Sequence, residues 1–281
     1  MIFDAHTHLN FEGFDEDERT QRAEEIAASD VGIIIDAGDS VASSRKAIED
    51  AEKYSWCYAA VGIHPEHAAE YTEEDLVHIE EMLAHRKVQA LGEIGLDFHY
   101  GKDTKEEQIE LFRKQLRIGV KHRVPVMIHT RDANQLTLDI LKEEGLFSAE
   151  RKAAFPMRPD ENGQPVPDAR VQLHCFSGSA ELAKEYVALG ATISIGGPVT
   201  FKNGRKTVEV AKQVPIEFIM TETDAPYLTP EPFRGRPNRS PYIEHIIRRI
   251  ALIKDMEYEA AEAILYENGC RFFDIPKDEE A

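Results

Sequence analysis

A short β-branched run followed by a longer amphipathic stretch recurs eight times along this chain, and few folds accommodate that alternation. The apolar runs cover 2–5, 31–37, 57–63, 88–94, 124–128, 171–173, 191–195 and 218–223. Helical periodicity fills 17–28, 43–54, 73–85, 105–122, 134–144, 180–189 and 206–214 between them, then 242–253 and 258–268 after the last. Strands that alternate with helices pair in parallel. Eight such units in 281 residues match the roughly 250 residues of one closed barrel. The expected fold is therefore α/β, a (β/α)8 TIM barrel. No Gly-x-Gly-x-x-Gly turn follows an early run, which weighs against an open dinucleotide-binding sheet.

The sequence carries no low-complexity linker, so 1–281 is read as a single barrel domain. Two segments depart from the repeat. One is a Pro-rich excursion at about 147–170, with Pro156, Pro159, Pro165 and Pro167 around the turn signal Asn162-Gly163. It precedes the sixth strand, so a barrel places it opposite the face where strands end, as a packing excursion or small hairpin. The other is an acidic tail at about 276–281, expected to be flexible.

Lys and Arg number 33 against 52 Asp and Glu, a net charge of −19. That balance excludes a general polyanion binder and any stable wrapping of duplex nucleic acid, because such affinity comes from cations neutralising phosphates. Phosphate chemistry has to be organised locally. Cys57, Cys175 and Cys270 are far apart with no CxxC pair, which suits a reducing compartment. The first residues lack the pattern of a signal peptide and no apolar run reaches the roughly 18 residues of a membrane span. A cytoplasmic protein without membrane partners is expected.

The most informative regularity is where ionisable residues fall. In a barrel all strand ends share one rim, and His, Glu and Asp recur at those ends. The first run finishes Asp4-Ala5-His6-Thr7-His8, with His6 and His8 on one side by strand alternation. Later runs finish at His64, Glu93, His129, His174 and Asp224. His6, His8, His129, His174, Glu93 and Asp224 would converge at the barrel mouth, at the C-terminal ends of the strands. Burying that many polar groups without a cation costs several kcal/mol. The set suffices for two divalent metal ions if one carboxylate bridges them.

These residues also carry a resemblance. Asp4-Ala5-His6-Thr7-His8, Gly62-Ile63-His64-Pro65, Gly92-Glu93-Ile94-Gly95-Leu96-Asp97, His129-Thr130-Arg131, His174-Cys175-Phe176-Ser177-Gly178 and Glu222-Thr223-Asp224-Ala225-Pro226-Tyr227-Leu228 together resemble the TatD-type metal-dependent hydrolases, among the amidohydrolase-like barrels. The likeness runs from about residue 1 to 273. It implies that His6, His8 and Asp224 hold one ion, that His129 and His174 hold the other, and that Glu93 bridges them. It also implies a Mg²⁺-dependent nuclease acting on DNA ends, although a nitrogen-rich donor set suits Zn²⁺ or Mn²⁺ at least as well. Around Arg234-Gly235-Arg236-Pro237-Asn238-Arg239-Ser240-Pro241 the sequence departs from the family's Glu-Pro after the Asn, and the Pro-rich excursion is longer than usual.

The expected activity is a divalent-metal-dependent hydrolase, a deoxyribonuclease or phosphodiesterase acting on nucleic-acid ends by a metal-activated water. Asp224 would ligate an ion and orient or deprotonate that water, and His64 would hydrogen-bond the substrate or donate a proton. Arg131, Lys202, Arg234 and Arg236 would grip flanking phosphates, and Tyr227 and Phe201 offer rings to a terminal base. Two alternatives stand beside it: an amidohydrolase, lactonase or deaminase using the same centre on a small molecule, and a non-catalytic metal-binding protein.

Overall fold

The computed structural model describes residues 1–276 and realises the repeat as a parallel barrel. The first half contains β1 (Ile2–Thr7), α1 (Glu16–Ala27), β2 (Val31–Ala37), α2 (Val41–Lys53), β3 (Cys57–Val61), α3 (Glu73–Met82), β4 (Val88–Asp97) and α4 (Lys105–His122). The chain continues through β5 (Val126–Arg131), α5 (Asn134–Glu143), α6 (Ala149–Ala153), β6 (Arg158–Pro159), β7 (Pro165–Val166), β8 (Val171–Leu173), α7 (Ala180–Leu189), β9 (Thr192–Ile195), α8 (Arg205–Gln213), β10 (Ile219–Thr221), α9 (Ile243–Lys254) and α10 (Tyr258–Phe272). Eight strands form one parallel sheet in the order β1-β2-β3-β4-β5-β8-β9-β10. Residues 277–281, most of the expected acidic tail, lie outside the described residues.

Alternate residues of each strand serve two cores. Ile34, Leu91, Ile128 and Ile193 face the helices within the larger cluster. Phe3, Ile33, Ile35, Met127 and Met220 fill the barrel. Phe272 and Phe273 close its lower end, Phe273 stacking on Phe3 with ring centroids 5.6 Å apart.

Two irregularities change which residues face inward. In β1 the register breaks between Asp4 and Thr7, so inward Phe3 and Ala5 are followed by inward His6 and His8. In β4 it breaks between Leu91 and Ile94, and inward Ala90 is followed three residues on by inward Glu93. A one-residue insertion reverses every later side chain. Without these bulges an apolar filling could not give way to polar donors on the same two strands.

The barrel's seam, β10 against β1, is closed by specific bonds rather than a regular ladder. The Asp224 N–H donates to the His6 carbonyl at 3.0 Å and the His8 N–H to the Ala225 carbonyl at 2.8 Å. Below them the fully buried Asp4 carboxylate accepts from the Thr223 N–H at 2.9 Å and the Thr223 hydroxyl at 2.6 Å. Burial pushes the Asp4 carboxyl up to about 7, against opposing hydrogen bonds from Thr223 and Ser240.

The Pro-rich excursion forms α6 and the β6–β7 hairpin, and it plugs the lower end of the barrel wall. Arg151 donates to the carbonyls of Ala169, Gly119 and Val124 at 3.0, 3.1 and 2.8 Å. Arg158 donates to the Ala191 carbonyl and the Thr192 hydroxyl, both at 2.8 Å. These buried guanidiniums satisfy carbonyls beside the strand entrances and at the C-terminal end of α4.

Asp4→Ala should lower unfolding free energy in urea by about 1–3 kcal/mol, the cost of an unpaired buried donor at Thr223. Asp4→Asn should cost less, because its carbonyl oxygen still accepts from that N–H. Equal midpoints for wild type and Asp4→Ala would remove Asp4 from the account of closure.

Candidate metal centre

Parallel strands bring the expected donors to one rim. His6 and His8 sit at the end of β1, Glu93 in β4, His129 in β5, His174 one residue past β8, and Asp224 three past β10. Asp224 and Cys175 have φ of 55° and 42°, left-handed values uncommon for side-chain-bearing residues that turn the chain sharply as these strands end. Gly95, at φ 153°, lets β4 pass the His129 carbonyl, where any Cβ would collide.

Glu93 is the hub, only 4 % exposed. Its Oε1 lies 2.7 Å from His129 Nδ1, 3.2 Å from His174 Nε2 and 3.8 Å from His64 Nε2. Its Oε2 lies 3.5 Å from His6 Nε2 and 3.8 Å from His8 Nε2. Asp224 Oδ1 is 3.5 Å from each of the same two His6 and His8 nitrogens, which are themselves 3.0 Å apart. Three overlapping groups have donor atoms within 4.8 Å of one another: His6, His8 and Glu93; His6, His174 and Asp224; His64, Glu93 and His129.

Each of the four expected ligand imidazoles turns one nitrogen to an acceptor behind it and the other toward the centre. His8 Nδ1 meets the Ala37 carbonyl at 2.9 Å and His6 Nδ1 meets Met127 Sδ at 2.8 Å. His129 Nε2 is 3.1 Å from Asp97 Oδ2, and His174 Nδ1 is 3.0 Å from Glu222 Oε1. An acceptor behind an imidazole fixes its hydrogen there and leaves the inward nitrogen bare for a cation. His64 is the reverse. Its Nδ1 accepts from the Glu66 N–H at 3.3 Å, so the neutral ring carries its hydrogen on Nε2, facing Glu93.

The charge balance follows the same plan. Burial alone would push the Glu93 carboxyl up, but His174, His6 and His129 outweigh it and hold it well below the usual range. Asp224 is likewise carried below its ordinary value by His6 and His8 despite burial. Burial opposes charge on His8 and His129, yet Asp224 lifts the first and Asp97 with Glu93 the second, each to about 9. Burial and the neighbouring His129 push His64 down to about 3. Glu93, Asp224, Asp97 and Glu222 supply four carboxylates around the centre, a count that two divalent ions would balance. The donor set thus fits such ions in chemistry, tautomer and charge.

The centre floors a pocket of about 460 Å³. Arg131 and Tyr227 line it, with His64 beside them. Arg131 lies over the Tyr100 ring at 4.6 Å. Lys202, Arg234 and Arg236 are not brought to this pocket: Arg234 stacks on Phe201 at 3.9 Å, and Arg236 lines a separate groove near Phe233. Asp97 and Glu222 were not among the expected site residues. Alternation could have found Glu222, which faces inward two places before Asp224.

Barrel and donor set define a class, the metal-dependent hydrolases built on a (β/α)8 fold. Residues 3–274 match the family model described as TatD related DNase, and the chain belongs to that family. It is 41 % identical over 275 residues to the uncharacterized metal-dependent hydrolase YabD of Bacillus subtilis, covering 98 % of this chain and 100 % of that one. It is 32 % identical over 280 residues to the uncharacterized metal-dependent hydrolase TatD of Mycobacterium tuberculosis, covering 98 % of each. The crystal structure of YjjV, a TatD homolog from Escherichia coli, superposes with a TM-score of 0.84 at 28 % identity over 98 % of both chains. Among the described residues no helix is long and apolar enough to cross a membrane.

Saturating Mn²⁺ or Zn²⁺ should stabilise chelator-stripped protein against thermal unfolding, by about 2.7 kcal/mol at a hundredfold excess over Kd. The shift should be largely lost in a His6→Ala/His8→Ala variant. An equal shift in both would place the binding elsewhere.

Proposed function

We propose that this protein hydrolyses phosphodiester bonds at nucleic-acid ends. His6, His8 and Asp224 would hold one divalent ion and His129 and His174 a second, with Glu93 between. The observation that carries this reading is the set of four imidazoles anchored from behind, with the two oxygens of Glu93 directed to the two halves. When bound, such ions acidify a water and neutralise charge on the phosphate.

The chain's own groups complete the chemistry. Asp224, ionised at the mouth, orients the attacking water and accepts its proton at a carboxylate oxygen. His64 donates from Nε2 to a substrate oxygen, a role its tautomer suits better than ligation. Arg131 has no carboxylate partner among the described residues and is braced by Tyr100, leaving guanidinium edges free for the phosphate beside the scissile one. The exposed Tyr227 ring, edge-on to Phe11 at 5.8 Å, offers a face to the terminal base. Arg234 and Arg236, also without carboxylate partners among the described residues and each beside an aromatic ring, would meet phosphates of a longer strand outside the pocket, as would exposed Lys202. The pocket is too small for a duplex, so a single-stranded end is the substrate form. These groups support a nuclease using Mg²⁺, Mn²⁺ or Zn²⁺, and three free cysteines suit a cytoplasmic setting for it.

One observation favours a second reading. Glu12, Asp39 and Glu66 line the same pocket against Arg131, the one Lys or Arg lining it among the described residues, which suits a small substrate of low negative charge, such as an amide or lactone.

End-labelled single-stranded DNA incubated with stripped protein and restored Mg²⁺, Mn²⁺ or Zn²⁺ should give a ladder from one end. Intact DNA alongside turnover of amides or lactones would replace the first reading by the second. Glu93→Gln should lower the rate by about 100-fold or more, at or beyond what outer partners of a metal contribute. Arg131→Ala should raise KM with kcat little changed, the mark of a group that binds ground and transition states alike.

A further inference from the structure

The two halves of the centre are anchored differently. Behind His6 and His8 stand neutral acceptors, the Met127 thioether and the Ala37 carbonyl. Behind His129 and His174 stand carboxylates, Asp97 and Glu222. Glu222 is fully buried and reaches no substrate-facing surface. Its Oε1 accepts from the Cys175 N–H at 2.5 Å and faces His174 Nδ1 at 3.0 Å. Its Oε2 accepts from the Ser194 hydroxyl at 2.5 Å and the Gln172 amide at 3.3 Å. Three donors from β8, β9 and the turn after β8 therefore fix this carboxylate in one orientation before any ion arrives, and among the described residues no other acceptor stands at hydrogen-bond distance from the His174 Nδ1 that it faces.

We propose that Glu222 is a positioning residue that presents His174 to one of the two ion positions and leaves the other untouched, so that the centre consists of a carboxylate-backed position and a position backed by neutral groups. This rests on the two-ion reading above. A carboxylate behind a ligating imidazole holds its hydrogen on the far nitrogen, orients the ring and raises the basicity of the near one. Glu222→Gln removes the charge while keeping the shape. Its carbonyl oxygen still accepts from Cys175 and the Ser194 hydroxyl can turn to accept from the new amide, while the Gln172 amide gives up its 3.3 Å bond to Oε2 and keeps the one to the Ala5 carbonyl at 3.4 Å.

The test is calorimetric titration of chelator-stripped protein with Mn²⁺ and with Co²⁺, without substrate, the Co²⁺ spectrum recording the ligand field. The expected result for Glu222→Gln is that one binding step weakens by about 10- to 100-fold while the other keeps its wild-type affinity. Melting of the metal-free protein should be unchanged, and Glu222→Asp, which keeps the charge, should recover part of the loss. Wild-type affinity at every step would overturn the proposal. So would an equal weakening of all steps together with a lower metal-free melting temperature, which marks a general structural role. Because no substrate enters the titration, a protein that fails to cleave nucleic acid can still satisfy it, and a working nuclease can still fail it.

Discussion

A single buried carboxylate contacted by five imidazoles organises this molecule. Glu93 has both oxygens within 3.8 Å of ring nitrogens contributed by the ends of β1, β3, β5 and β8. An acid in that setting stays ionised only because its neighbours compensate for lost hydration. The neighbours in turn need negative charge to remain together. The cluster is self-consistent but strained electrostatically without cations, since protons must then stand on several imidazoles at once. Divalent ions relieve that demand, and the surrounding groups are arranged for them.

The fold earns this cluster through register. The same strands that bury Phe3, Ala5 and Ala90 in the barrel present His6, His8 and Glu93 a few residues later, which strict alternation forbids. Each bulge converts an apolar layer into a polar one. The seam between β10 and β1 then places Asp224 beside His6 through a backbone bond, so closure of the barrel and completion of the centre are one event. At the opposite end, buried Arg151 and Arg158 seal the strand entrances. Stability and chemistry are thereby kept at separate ends, as in other barrels.

Much of this was legible in the sequence because both signals are periodic. Strands and helices alternate with clear boundaries, so α4, α5 and α7 begin where their periodicity begins, and the six strand-end donors meet as their positions imply. Three things were hidden. The bulges leave no mark in a run such as Ala90-Leu91-Gly92-Glu93, since glycine is compatible with several backbone paths. Asp97 and Glu222 act through histidines distant in sequence, so although alternation puts Glu222 on the inward side with Asp224, nothing in the spacing pairs either acid with its histidine. The mouth cations were assigned by proximity to strand ends, yet Arg234 and Arg236 travel with a loop that carries them over Phe201 and toward Phe233 and away from the pocket. The Pro-rich segment announced a turn but not the two arginines it inserts.

Anomalous diffraction from crystals grown with Mn²⁺ tests the central claim most directly. The account predicts two peaks on either side of Glu93, about 3.5–4 Å apart, one beside His6, His8 and Asp224 and the other beside His129 and His174. A barrel mouth with no peak, or with ions bound away from Glu93, would contradict it.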